Sequence, residues 1–255
     1  MKTRILSAVV LLPLLIFVLI KGGVYLSLFI LVCSLIGVNE FVNALGKNSS
    51  QFTKCILFIA TIINTLIIYT KNEKLILPLI VLLLFVEATF VVFGKISAID
   101  AAISIFVFIY VSVSLSIVYL LSSNYNIFFP YIFIIAMVTD TFAYFSGVFF
   151  GKHKLSSISP KKTVEGAVGG ILFCAFASFM YAYYFQKDFL SFVIPFAIIG
   201  SIISQIGDIF SSAFKRAMNI KDYGNIIPGH GGILDRADSI IFTTYYIYSI
   251  VSLMY

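Results

Sequence analysis

Charge is what this sequence has least of. Only 11% of its 255 residues are Asp, Glu, Lys or Arg, where about 25% is usual in soluble domains. Hydrophobic residues make up 61%, where about 45–50% is usual. So few charges cannot cover the surface of a soluble chain of this length, which excludes a soluble enzyme and a disordered segment alike. Cysteine is scarce too. Cys33, Cys55 and Cys174 are scattered inside apolar runs, so they read as small hydrophobes, neither a disulfide framework nor a metal cluster. The apolar runs also lack the alternation of a membrane barrel, and helices then remain the way to satisfy a backbone in lipid. The fold class expected is an all-α polytopic integral membrane protein.

Apolar runs long enough to cross a bilayer recur along the chain. The sequence predicts nine spans, near Ile5–Ile20, Gly22–Asn39, Cys55–Thr70, Leu75–Phe93, Ala101–Leu121, Ile127–Phe150, Ala167–Phe185, Phe189–Phe210 and Ser239–Tyr255. Nine such helices use about 180 residues, which leaves no separate soluble domain. The first run begins like a signal peptide, with Lys2 and Arg4 before an apolar stretch, but Lys21-Gly22-Gly23 follows without a small-residue cleavage pattern. A retained span is the expectation. Residues 1–126 then form an N-terminal region of about five transmembrane helices. Residues 127–255 form a C-terminal catalytic region with loops near 151–166 and 211–237.

Orientation follows from the basic residues. Thirteen of the 17 Lys and Arg fall on the side shared by the N-terminus and the connections after even-numbered spans, which makes that side cytoplasmic. The net charge of +6 is read as topology and attraction to anionic head groups, with no nucleic-acid partner. Charge is also clustered along the chain. Of the 16 charges in residues 136–255, 14 lie within 140–165 and 208–238. Those two patches are where chemistry is expected.

In the first patch, Asp140 lies deep in an apolar run, where a carboxylate costs about 2.5–3.5 kcal/mol on insertion scales. It needs a polar cavity, a cation or a hydrogen-bonding partner helix. Ser159-Pro160 has the form of a helix N-cap and first helical residue, and Lys161 and Lys162 beside it suit either a phosphate or a solvated topology loop. Gly147, Gly151, Gly166 and Gly170 have the spacing of close helix packing. In the second patch, Ser204, Asp208, Ser211 and Lys215 would form one polar stripe on a continuing helix. Asp235 and Asp238 would share a face at the start of the last span, where a capping role for Asp238 is also open.

Carboxylates at 208, 235 and 238, with no cysteine near and a single histidine, favour a hard cation with oxygen ligands, Mg²⁺ over Zn²⁺. His230, within Pro228-Gly-His-Gly-Gly232, reads equally as a general base, a phosphate donor or a turn residue. Arg216 and Arg236 offer planar forks for phosphate oxygens. Glu40 and Glu87 receive no assigned role; pairing between helices and lining a lipid entrance are the readings open to them. The residue chemistry thus gives a Mg²⁺-dependent site for a phosphorylated substrate at a lipid bilayer, and does not name the reaction.

Ser212-x-Phe214-Lys215-Arg216, Lys221-Asp222-x-Gly224, Ile227-Pro228-x-His230-Gly231-Gly232-Ile233 and Asp235-Arg236-x-Asp238 together resemble the signature of the phosphatidate cytidylyltransferase family, the CDP-diacylglycerol synthases. Gly207-Asp208 and Ser159-Pro-Lys-Lys-Thr-Val-Glu165-Gly also look like it, so the likeness covers roughly residues 136–240. Ala237 departs from the family's larger apolar residue there. The resemblance implies transfer of CMP from CTP to phosphatidate, giving CDP-diacylglycerol and pyrophosphate in phospholipid biosynthesis. It makes Asp208 and Asp235 the Mg²⁺ ligands, alone or with a second cation, and Asp208, Lys215, Asp235 and Asp238 the catalytic set. Lys161, Lys162, Arg216, Lys221, His230, Gly231, Gly232 and Arg236 become substrate-binding candidates, undivided between CTP and phosphatidate. It further implies a bacterial inner membrane and allows a homodimer. The alternatives are a CTP-dependent lipid-alcohol kinase, which lacks this complete arrangement, and an ion-coupled transporter using Asp140, Asp208 and Glu87.

Overall fold

The computed structural model describes residues 2–46, 51–229 and 231–254. Among them the secondary structure is helical, with two isolated β-bridges in loops. The helices are α1 (Lys2–Lys21), α2 (Gly23–Ala44), α3 (Gln51–Tyr69), α4 (Ile76–Val92), α5 (Ala98–Val107), α6 (Ser114–Asn124), α7 (Pro130–Phe133), α8 (Thr139–Phe150), α9 (Val164–Phe185), α10 (Leu190–Ala217) and α11 (Leu234–Met254). π-helical turns, Phe108–Val113 and Ile134–Val138, join α5 to α6 and α7 to α8. Each predicted span therefore falls on a helix. Seven of these rods are long and apolar enough to cross a membrane among the described residues: α2, α3, Glu73–Val92, Ala98–Asn124, Pro130–Phe150, α9 and Lys187–Ala217. Helices α1 and α11 stand where the first and ninth spans are predicted but are not among those seven. In α11 the Asp235, Arg236 and Asp238 start and the Thr and Tyr residues that follow dilute the apolar run.

The chain divides into two compact units. One comprises Met1–Ser123 with Asp222–Arg236, the other Asn124–Lys221 with Ala237–Tyr255. In the first, α2, α3 and the long rod through α5 and α6 bury Phe41, Leu57, Val107, Phe108, Val111 and Leu120. A polar seam crosses this apolar core. Thr61 and Ser112 share a hydrogen bond of 2.7 Å, and the Asn64 amide donates to the Ser112 carbonyl at 3.2 Å and the Ser116 hydroxyl at 2.8 Å. Ser112 lies in the π-turn, where the wider helical register changes the usual carbonyl pairing and helps leave an acceptor for a neighbouring helix. Glu87, fully buried on α4, accepts from Ser104 of α5 at 2.6 Å; this carboxylate pairs between helices.

In the second unit α8 and α9 pack backbone to backbone. A side-chain carbon on Gly166 would lie 2.6 Å from the Ala143 carbonyl oxygen, and one on Gly170 would lie 2.8 Å from that of Thr139. The predicted glycine spacing is thus a packing device, since small residues are what let membrane helices approach this closely. Phe142 stacks on Phe173 beside the seam, with centroids 4.0 Å apart. Thr139 donates to Ser201 at 2.8 Å, which ties α8 to α10. The outward faces are apolar: Phe149 is 74% exposed and Leu172 64%. Such surfaces suit a lipid solvent, and the protein is an integral membrane protein.

Candidate functional site

The polar stripe on α10 forms as its spacing predicts. The helix runs unbroken to Ala217, and Ser204, Ser211 and Lys215 are buried with Asp208 half-buried between them. Three- and four-residue steps put all four on one face. Asp208 receives the Lys162 ammonium, which is brought from the loop between α8 and α9. One turn beyond Ser211, Lys215 faces Asp238 on α11 at 3.9 Å, with both side chains largely buried. Asp140, on α8, accepts from the Ser239 hydroxyl at 2.9 Å, so the intramembrane carboxylate has the helix partner that its depth demands. Asp238 lies in the electrostatic field of both Asp208 and Asp140. The second unit thus gathers three carboxylates and two lysines from α8, the α8–α9 loop, α10 and α11.

The loop that delivers Lys162 is itself built. Glu165, in the first turn of α9, accepts the Lys152 and His153 backbone N–H groups at 3.0 and 3.2 Å through one oxygen. Its other oxygen meets His153 Nδ1 at 2.6 Å. Leu155 N–H donates to the Lys162 carbonyl and Val164 N–H to that of His153. Ser159-Pro160 does not start the helix, contrary to the sequence expectation. Lys162 N–H closes a turn onto the Ser159 carbonyl, and α9 begins at Val164 with the Thr163 hydroxyl accepting from Gly166 N–H at 3.1 Å. Proline fits the second position of a turn as well as a helix start, and Thr163 supplies the better-placed cap. Lys161 is exposed at the tip of that turn.

In the first unit the segment from Asp222 to Arg236 folds around two carboxylates. Asp235, buried at the start of α11, accepts Tyr223 N–H at 2.8 Å and Gly232 N–H at 3.0 Å through the same oxygen. Gly231 adopts φ 87°, the left-handed region where a side chain is strained. Glu40 of α2 accepts Ile233 N–H at 3.1 Å and Leu234 N–H at 2.9 Å, one with each oxygen. Lys221, Arg216 and Arg236 are exposed; the Arg216 guanidinium donates to the Ile220 carbonyl at 2.9 Å and closes the end of α10. His230 lies outside the described residues.

The donors fit a hard cation in kind. They are carboxylate oxygens held where negative charge accumulates and where lysine ammoniums supply the compensating charge. Among the described residues no group of three His, Cys, Asp or Glu closes around one point. Sequence reading overlooked Glu40 and Glu165 as organisers of the two loops. Glu165 could have been found as an acid in the first turn of α9, where a carboxylate is favoured. Glu40 has no local pattern at all.

The chain matches the model of the family described as Cytidylyltransferase family over residues 2–254. It is similar to the phosphatidate cytidylyltransferase of Staphylococcus aureus (strain COL), with 34% identity over 252 residues and 95% of each chain covered. It is similar also to the phosphatidate cytidylyltransferase of Staphylococcus haemolyticus (strain JCSC1435), at 32% over 250 residues and the same coverage. The likeness therefore extends through the N-terminal helices as well as the polar patches.

Proposed function

The chain belongs to the cytidylyltransferase family, and on that premise we propose that it transfers CMP from CTP to phosphatidate, forming CDP-diacylglycerol and pyrophosphate. The observation that carries this reading is likeness to phosphatidate cytidylyltransferases along 95% of the chain. The paired lysines and carboxylates of the second unit support it with chemistry of the right kind.

In the proposed reaction a phosphatidate oxygen attacks the α-phosphorus of CTP. The new P–O bond forms as the bond from the α-phosphorus to the bridging oxygen breaks, and pyrophosphate leaves with that electron pair. Both reactants are anions, so positioning and charge neutralisation are the main demands on the protein. Mg²⁺ held by Asp208 and Asp235, alone or with a second cation, would neutralise phosphate oxygens and polarise the α-phosphorus. Lys215 contacts phosphate and Asp238 holds its ammonium in place. Lys162, Lys161, Arg216, Lys221 and Arg236 share the triphosphate and the lipid phosphate, with His230, Gly231 and Gly232 as the further substrate-binding residues. The C-terminal region carries this chemistry. The active site faces the cytoplasm of a bacterial inner membrane, a reading supported by the distribution of lysine and arginine. A homodimer belongs to the same proposal and rests on family likeness.

The test is purified protein in lipid micelles with phosphatidate, Mg²⁺ and CTP labelled separately at the α- and γ-phosphates. The α-label should enter lipid and the γ-label should leave as pyrophosphate. A γ-labelled lipid with CDP released would replace this reading with a kinase, and ion flux in proteoliposomes without CTP turnover would replace it with a transporter.

A further inference from the structure

We infer that Glu40, on the second helix of the chain, is a positioning residue that clasps the Asp222–Arg236 loop and sets the start of α11. This rests on the reading above, because it gives a role to a residue outside the chemistry proposed there. Glu40 is 3% exposed and sits 193 and 194 residues from its two partners, Ile233 and Leu234. Those N–H groups belong to the junction where α11 begins. The first N–H groups of a helix have no carbonyl within it to bond, and the helix dipole places partial positive charge there. A carboxylate answers both needs at once. Each oxygen takes one N–H, in charge-assisted bonds stronger than neutral ones.

Two further features show that the loop is shaped to this side chain. A side-chain carbon on Gly224 would fall 2.4 Å from Glu40 Oε1, and one on Gly232 would fall 2.5 Å from its carboxylate. Glycine at both positions is what lets the backbone close over the acid. The next residue on α2, Phe41, stacks on Tyr223 with centroids 5.5 Å apart and planes inclined by 23°. Tyr223 N–H is in turn held by Asp235. Helix α2 thus grips the loop twice, by a carboxylate on its backbone and by a ring on its aromatic residue. Asp235 and Arg236 follow directly from the clasped amides, so their placement depends on a side chain outside the proposed catalytic and substrate-binding set.

Glu40→Gln tests this with little change of volume. The amide keeps one acceptor and turns a donor toward the other N–H, so the clasp half-opens. Three readouts are taken on wild-type and variant protein: pyrophosphate release per folded molecule, melting in detergent, and hydrogen exchange of the 231–236 amides. The expected result is kcat lower by about 10–100-fold, since misplacement by about 1 Å is that costly, with KM for CTP and phosphatidate within about 3-fold. Exchange at Ile233 and Leu234 should quicken while the melting temperature stays close to wild type. Gly224→Ala should slow turnover beside Glu40 but add nothing in a Glu40→Ala background, where no carboxylate remains to collide with. Unchanged exchange, additive effects of Gly224→Ala and Glu40→Ala, or a loss explained wholly by less folded protein would overturn the inference. If wild-type protein itself releases no pyrophosphate, the cytidylyltransferase reading fails, and exchange at Ile233 and Leu234 still decides the clasp.

Discussion

Lys162 and Asp208, separated by 46 residues, form an ion pair between the α8–α9 loop and α10. Each side chain keeps about a quarter of its surface exposed, 27% for Lys162 and 24% for Asp208. The pair is therefore neither a solvated surface contact nor a sealed one, and a phosphate or a cation can compete for either partner. The proposed reaction asks this of both charges, which would hold their positions before substrate arrives and change partners when it does.

Asp208→Asn should lower pyrophosphate release by roughly 100–1,000-fold, the loss usual for one preorganised charge at a polar transition state, and Lys162→Gln should lower kcat/KM on a similar scale. Removing one partner leaves the other charge half-buried and unmatched. The double variant should therefore yield more folded, extractable protein than the sum of the single losses implies. Size-exclusion yield and turnover for all four proteins complete the cycle. Additive losses of yield would show that the pair carries no structural coupling.

Asp235 has two duties that a pair of substitutions can separate. Its Oδ2 accepts Tyr223 and Gly232 N–H groups, while its charge is the proposed ligand for Mg²⁺. Asn at this position retains a carbonyl acceptor and loses the charge. Asp235→Asn should abolish turnover with the loop amides still protected from exchange, whereas Asp235→Ala should lose both. Near-full activity of Asp235→Asn at saturating Mg²⁺ would remove Asp235 from the metal assignment.

These duties were unequally legible in the sequence. The helices could be read because a bilayer demands long apolar runs, and each predicted span falls on one. The α10 stripe could be read because helical periodicity places Ser204, Asp208, Ser211 and Lys215 together without tertiary information. The Ser159-Pro160 reading failed because proline at the second position of a turn and proline at a helix start look the same along the chain. Glu40 gave no signal, since its partners stand at Ile233 and Leu234 and are backbone amides. Residue identity cannot announce a backbone donor. The trace it does leave is indirect, in the glycines at 224 and 232 that make room for it.

The α8–α9 seam predicts a stability effect separable from chemistry. A β-carbon at Gly170 would stand 2.8 Å from the Thr139 carbonyl and 3.1 Å from the Ala143 side chain. Gly170→Val must push the helices apart, at a cost of about 1–3 kcal/mol for overpacking. Thermal unfolding in detergent should show a lowered midpoint, while kcat per folded molecule changes little. An unshifted midpoint would mean that the seam opens without penalty.

Glu165 is the point at which loop order and the lysine site meet. Its carboxylate holds Lys152 N–H, His153 N–H and His153 Nδ1, at one end of the loop that carries Lys162 at the other. Glu165→Ala removes all three bonds, and the loop from 152 to 163 should become open to protease while α9, capped by Thr163, stays helical. Turnover should fall by about 10-fold, less than for Lys162→Gln, because Lys162 is still present but spends less time beside Asp208. His153→Ala removes only the contact made by an imidazole that is 77% exposed, leaving both backbone bonds, and should have a small effect on either measure. Limited proteolysis and pyrophosphate release on the two variants separate the contributions. If Glu165→Ala opened the loop to protease without slowing turnover, Lys162 would not need the loop to reach its working position.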